Sequence, residues 1–222
     1  MNSNSPSTSN NQSLESKLDV IANNLADAGY VILQDFLSEE LAKLLQHQAQ
    51  TLSETDFKPA SIGRNQDQQL NSKVRSDRSL WLNKESETQR QYLDFMEQVR
   101  VGLNRRLFMG LFDFECHFSH YQPGDFYLKH LDAFKGRSNR ALSTVYYLNP
   151  SWQESFGGEL VLYSSEQDSS ILTRIKPVFN QCVIFLSDSF PHEVLVSHKD
   201  RFSIAGWFRL NNSNHNHVDP AL

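Results

Sequence analysis

The chain is poor in cysteine, has no long apolar run and carries no excess of positive charge. Each shortage removes a class of protein. Two cysteines in 222 residues, Cys116 and Cys182, cannot build a disulfide framework, and both lie in apolar runs. They read as reduced core thiols. No apolar stretch reaches the roughly 18 residues that a membrane-spanning helix needs. The first residues also lack the basic start and apolar segment of a secretory leader, so the expected location is the cytoplasm and no membrane partner is expected. The formal net charge is −5 and the pI about 5.9, so there is no global basic field to hold a phosphate backbone. Nucleic acid is therefore not an expected partner. Neither G-x-G-x-x-G nor G-x-x-x-x-G-K-[ST] occurs, which argues against a nucleotide-binding α/β fold.

What the chain does contain changes texture along its length. Residues 1–13 have no aliphatic side chain after Met1 and read as a disordered arm. Residues 14–111 read as a helical support region. Leu14, Leu18, Ile21 and Leu25 repeat with helical period, and Gly29 stands where that helix should stop. A short strand, "YVILQDF", follows. Ser38 is placed as an N-cap, with Glu39 and Glu40 at the positive end of a second helix that should bury Leu41, Leu44, Leu45 and Leu52. Ser86 and Gln89 have capping-box spacing before a third helix striped by Tyr92, Phe95, Met96, Val99, Leu103 and Leu107. Between these last two helices a polar segment near 58–82 has no helical period, as in a disordered stretch, a functional loop or a hairpin.

Over 112–210 the period switches to two. "DFECHFSHY", "ALSTVYYL", "GELVLYS", "CVIFLS", "EVLVSH" and "RFSIAGWFRL" are short β-rich runs separated by turn signals. Six to eight strands of this kind suggest a sandwich, barrel or jelly roll. The fold class is α+β, with helices first and packed on a closed β core. Residues 211–222 are a polar tail.

"YLKHLDAFKG" places His130 and Asp132 two positions apart. On a strand such residues point the same way, which makes half a metal site or an ordinary edge pair. The spacing alone is cheap. His217 and Asp219 share it in an asparagine-rich tail, where a solvated segment is the better reading. "DSFPHEVLVSHKDRFSIAGWF" adds His192, with Arg201 nine residues later. Two histidines and one carboxylate suit non-haem Fe(II) and leave coordination positions open. Arg201, Ser203, Ala205 and Trp207 share one face of a strand, while Phe202, Ile204 and Phe208 share the other. An arginine among small residues suits an inward-facing carboxylate pocket, since its planar fork makes two parallel hydrogen bonds. A surface arginine opening a strand fits the same pattern. His117, His120 and His198 read as structural.

Taken in order, H-x-D, roughly sixty residues, H, and R nine residues on resembles the 2-oxoglutarate- and Fe(II)-dependent oxygenases. Within them it is similar to the prolyl 4-hydroxylase family, in particular the hypoxia-type prolyl hydroxylases and their bacterial relatives. "HYQPGDFYLKHLD", "STVYYLNPSW", "FGGEL" and "LSDSFPHEV" carry the resemblance, which runs from about Val31 to Trp207. It implies a double-stranded β-helix (a cupin-like jelly roll) with the N-terminal helices packed on one sheet. It implies Fe(II) held by His130, Asp132 and His192, the distal carboxylate of 2-oxoglutarate clamped by Arg201 with Tyr147, and Tyr121 near its oxalyl end. Dioxygen is then co-substrate and ascorbate the reductant. Trp207 would line the substrate entrance. Arg75 and Asp77, in "VRSDRSLWL", would pair to hold a substrate loop, although a solvated charge run fits these residues too. The implied reaction is hydroxylation of a prolyl residue in a protein or peptide, such as the translation factor elongation factor Tu, with succinate and CO₂ released.

Two rival functions start from the same residues. An oxygenase that dealkylates nucleic acid would want a second arginine six residues after Arg201, where this chain has Trp207. A non-catalytic jelly-roll binding module, or a hydrolytic zinc site, would not give the weak visible charge-transfer band of an Fe(II)–2-oxoglutarate chelate.

Overall fold

A computed structural model of the chain describes residues 13–52, 55–60, 73–133, 139–165 and 170–211. Most of the N-terminal arm, the middle of the 58–82 segment, and His217 and Asp219 lie outside these residues.

The first helix, α1 (Leu14–Asp27), starts at Ser13, whose hydroxyl accepts from the Ser16 amide at 3.3 Å. Leu18, Ile21 and Leu25 are buried, as their spacing requires. Strand β1 (Tyr30–Leu33) leads to α2 (Glu39–Thr51), capped by the Ser38 hydroxyl. Here the buried face differs from expectation. Ala42, Leu45 and Ala49 face the core, while Leu44 is exposed. Small alanines let α2 lie close to its neighbours, and the leucines on its flanks are left at the rim. The third helix, α3 (Glu87–Leu107), buries Tyr92, Met96, Val99 and Leu103. Its expected capping box does not form. The Ser86 hydroxyl instead accepts from Gln48 of α2 at 3.1 Å, and the Gln89 carbonyl accepts from the Asn83 amide at 3.0 Å. A tertiary partner has displaced a local one.

Gly102 sets how closely α1 and α3 cross. A Cβ there would stand 2.4 Å from Leu18 Cδ1, an atom of a side chain only 1% exposed. Gly102→Val should overpack this crossing and cost about 1–3 kcal/mol, read as a lower urea midpoint at unchanged m-value.

The β core has two antiparallel sheets. The larger runs β1–β9–β6–β11–β4–β3–β2 and the smaller β5–β10–β7–β8. Their strands are β2 (Lys58–Pro59), β3 (Arg78–Trp81), β4 (Leu111–Tyr121), β5 (Tyr127–His130), β6 (Arg140–Tyr147), β7 (Leu160–Tyr163), β8 (Ile171–Ile175), β9 (Cys182–Leu186), β10 (His192–Val194) and β11 (Arg201–Leu210). The jelly roll and the helices packed on one sheet are as the resemblance implied. The 58–82 segment contributes the pair β2–β3, and β3 continues the large sheet on β4.

Alternation along the large sheet sorts two cores. Cys116, Phe118, Leu142, Tyr146, Ile184, Ile204 and Phe208 face the helices. Tyr121, Tyr147, Val183 and Phe185 face the small sheet and meet its Leu160, Leu162, Ile175 and Val194. Cys116 and Cys182 are free and buried. The second core holds the polar groups of interest.

Candidate metal centre and carboxylate pocket

Strands β5 and β10 run side by side, with His130 directly opposite His192. Asp132 follows β5 immediately. One ligand atom from each of the three lies within 4.8 Å of the others. His130 Nε2 is 3.7 Å from Asp132 Oδ1, and His192 Nε2 is 3.5 Å from Asp132 Oδ2. These separations are long for hydrogen bonds and suit ligands of one shared cation at about 2.0–2.2 Å from each.

The backbone fixes both tautomers. His130 Nδ1 is 2.8 Å from Leu128 O, and His192 Nδ1 is 3.0 Å from Phe190 O. A carbonyl can only accept, so each Nδ1 carries the hydrogen and each Nε2 lone pair is free for a metal. Burial, reinforced by His130, pushes His192 down to about 4. Burial opposes ionisation of Asp132, but His192, His130 and Arg140 outweigh it and hold the carboxyl well below its usual range. A neutral imidazole and an ionised carboxylate are the forms that a divalent cation takes up.

Two serines stand behind the carboxylate. Ser143 donates to Asp132 Oδ2 at 2.6 Å, and the Ser187 hydroxyl is 2.9 Å from that of Ser143. With its hydrogen given to Asp132, Ser143 must accept from Ser187. Sequence reasoning missed both. The available signal was that Ser143, Val145 and Tyr147 alternate onto one face of β6. Ser143→Ala should leave the fold intact and weaken Mn(II) binding by about tenfold in calorimetric titration.

Arg201 opens β11 opposite Tyr121, and Ser203 lies opposite Tyr147. The arginine is 1% exposed. Its Nε donates to Gly158 O at 2.9 Å and its Nη1 to Ser203 Oγ at 3.1 Å. Arg201 Nη2 and the Tyr147 hydroxyl are both buried and make no hydrogen bond. The guanidinium carbon lies 4.8 Å from the Tyr121 ring and 5.2 Å from that of Tyr147. No carboxylate pairs with Arg201 among the described residues. A buried cation without an anion is costly, so the donors fit an incoming carboxylate. Gly158 makes room for this arrangement. Its φ is +68°, and a Cβ there would stand 3.0 Å from Arg201 Cδ.

Arg75, Asp77 and Trp207 have the following surroundings. Arg75 and Asp77 form a two-pronged ion pair at 2.6 and 2.8 Å, with the Asp77 side chain fully buried. They are not a solvated charge run. Trp207 is buried, with the Arg140 guanidinium 3.5 Å over its ring and Trp81 and His117 beside it. His117 is buried and bonded through Nδ1 to Phe118 O. Burial first, and then Arg75, pushes it down to about 3. A third H-x-D, His198 and Asp200, was overlooked in the sequence. Asp200 turns to His120 at 2.8 Å and takes no part in the metal centre.

Known proteins can now be set beside this geometry. Residues 116–209 match the 2OG-Fe(II) oxygenase superfamily. A Pseudomonas putida prolyl-4-hydroxylase is 35% identical with a TM-score of 0.78, covering 88% of this chain and 100% of that one. A Trichoplax adhaerens prolyl hydroxylase, in complex with a hypoxia inducible factor oxygen degradation domain peptide fragment, is 25% identical with a TM-score of 0.78. It covers 88% of this chain and 90% of that one. The mouse prolyl hydroxylase EGLN3 is 31% identical over 86 residues, which are 38% of this chain and 35% of the relative. The chain thus spans about a third of the length of that curated relative. A buried arginine with a spare donor beside a two-histidine, one-carboxylate set is what an oxygenase of this kind requires. The chain belongs to the 2-oxoglutarate- and Fe(II)-dependent oxygenase superfamily. Its relatives are prolyl hydroxylases of bacterial and hypoxia type, and the superfamily uses Fe(II), 2-oxoglutarate and dioxygen.

Proposed function

We propose that the protein hydroxylates a prolyl residue of a protein substrate. The observation that carries the reading is the pair of orphaned buried donors, Arg201 Nη2 and the Tyr147 hydroxyl, in the same inter-sheet space as the histidine–aspartate set.

His130, Asp132 and His192 would hold Fe(II), with Ser143 bonded to one oxygen of the Asp132 carboxylate. Arg201 and Tyr147 bind the distal carboxylate of 2-oxoglutarate, and Tyr121 packs its ring on the same guanidinium. Leu160, Leu162, Ile175 and Val194 pack in the same core as Tyr121 and Tyr147 and surround the carboxylate site with apolar side chains. With Fe(II) and 2-oxoglutarate bound, the site would supply oxidation of a C–H bond by dioxygen, one oxygen atom going to the prolyl carbon and the other to succinate as CO₂ leaves. Trp207 and the Arg75–Asp77 segment border the substrate side. Ascorbate serves as reductant.

The substrate is a peptide segment in a folded protein, and a translation factor such as elongation factor Tu is the first candidate. Incubation of the enzyme with Fe(II), 2-oxoglutarate and that protein should add one oxygen atom to a single proline-containing peptide, with matching succinate. Succinate formed without any gain of mass in the protein, or a gain at a residue other than proline, would overturn the substrate reading.

A further inference from the structure

We propose that Tyr127 is a positioning residue for His130, and that the Arg75–Asp77 pair acts on the metal centre through it. This rests on the reading that His130 is a metal ligand.

Tyr127 and His130 are three residues apart on β5, and on a regular strand they would point to opposite faces. They do not. His192 pairs with His130, but Val194, two residues on, pairs with Tyr127, three residues back. The extra residue in β5 is a bulge. Bulges beside active sites re-aim side chains, and this one turns the Tyr127 ring onto His130, with centroids 3.6 Å apart and planes at 17°.

The other face of Tyr127 is covered by Arg75, whose guanidinium carbon is 4.5 Å from the ring centroid. The backbone repeats the contact. Arg75 bridges to Tyr127, and the Leu128 amide donates to Val74 O at 2.9 Å. Asp77 fixes the guanidinium from behind through its two hydrogen bonds. A stack of Asp77, Arg75, Tyr127 and His130 therefore runs from the 58–82 segment to a ligand atom.

The two histidines differ in their need for such support. His192 lies inside the minor sheet, paired on both sides, against the Phe185 ring at 4.9 Å. His130 ends the edge strand of that sheet and has one ladder partner. Its ring is held by the Leu128 carbonyl and the Tyr127 stack. A ligand oriented by a few outer contacts loses metal affinity when one is removed.

The test is titration of the metal-free protein with Co(II) alone, following the visible ligand-field bands, with thermal unfolding as a control. Tyr127→Leu should weaken Co(II) binding by about tenfold and alter the band envelope, whereas Tyr127→Phe, which keeps the stack, should stay within about twofold. The double variant Arg75→Ala/Asp77→Ala removes both members of the ion pair together. It should weaken Co(II) by about three- to tenfold in the native background and have no further effect in Tyr127→Leu. Native affinity and spectrum in Tyr127→Leu would overturn the proposal, and so would an Arg75/Asp77 effect that persists without Tyr127. If the pair served only as a substrate lid, Co(II) binding would be unchanged while peptide hydroxylation fell. His130→Ala separates the two layers. If it binds Co(II) normally, the metal reading itself has failed; if it does not, while the Tyr127 variants are native, only the stack has.

Discussion

Purified His192→Ala and His130→Ala should each fold normally and lose all turnover. Neither imidazole contributes to the helix-side core, and the inter-sheet core is built from Leu160, Leu162, Ile175, Val183 and Phe185 around them. What each removes is an Nε2 ligand atom near Asp132, on a ring whose Nδ1 is bonded to a backbone carbonyl. Iron retention after dialysis should fall with activity, while far-UV circular dichroism and the Tm stay near native. Full turnover in either variant would show that the metal is held elsewhere.

Arg201→Lys should raise the KM for 2-oxoglutarate by about tenfold or more, equivalent to about 1.5–3 kcal/mol for a lost charge-assisted bond. The magnitude follows from how the guanidinium is already used. Its Nε and Nη1 are bound to Gly158 O and Ser203 Oγ, which lock the fork and leave Nη2 facing the pocket. A lysine keeps the charge but has one nitrogen, which cannot satisfy the Gly158 carbonyl and an incoming carboxylate in the same plane. Tyr147→Phe removes only a neutral donor, and its effect should be smaller, about 1 kcal/mol. An unchanged KM in Arg201→Lys would take the residue out of the co-substrate pocket.

The sequence alone determined the parts that local periodicity encodes. The alternation of Arg201, Ser203, Ala205 and Trp207 against Phe202, Ile204 and Phe208 put the arginine on the face away from the bulky apolar residues, because successive strand residues must point oppositely; that this face is buried came from the structure. The leucine and isoleucine stripe of α1 was legible for the same kind of reason. The order of H-x-D, H and R pointed to the family.

Tertiary structure decided everything that depends on which elements become neighbours. Ser86 and Gln89 have the spacing of a capping box, yet Gln48 and Asn83 take their side chains. His198 and Asp200 have the same spacing as His130 and Asp132, but Asp200 is drawn off to His120. Ser143, Ser187 and Gly158 lie within segments that carry the family resemblance, but nothing local tells what they touch. They reach Asp132 and Arg201 because β6, the turn after β9, and the turn before β7 converge on one cavity. Tyr127 is the sharpest case. Strand period alone turns it away from His130, and a single extra residue in β5, visible only in the pairing with β10, brings the two rings together. Periodicity fixes which way a side chain points from its own strand; pairing register, burial and competition for hydrogen bonds fix what it meets.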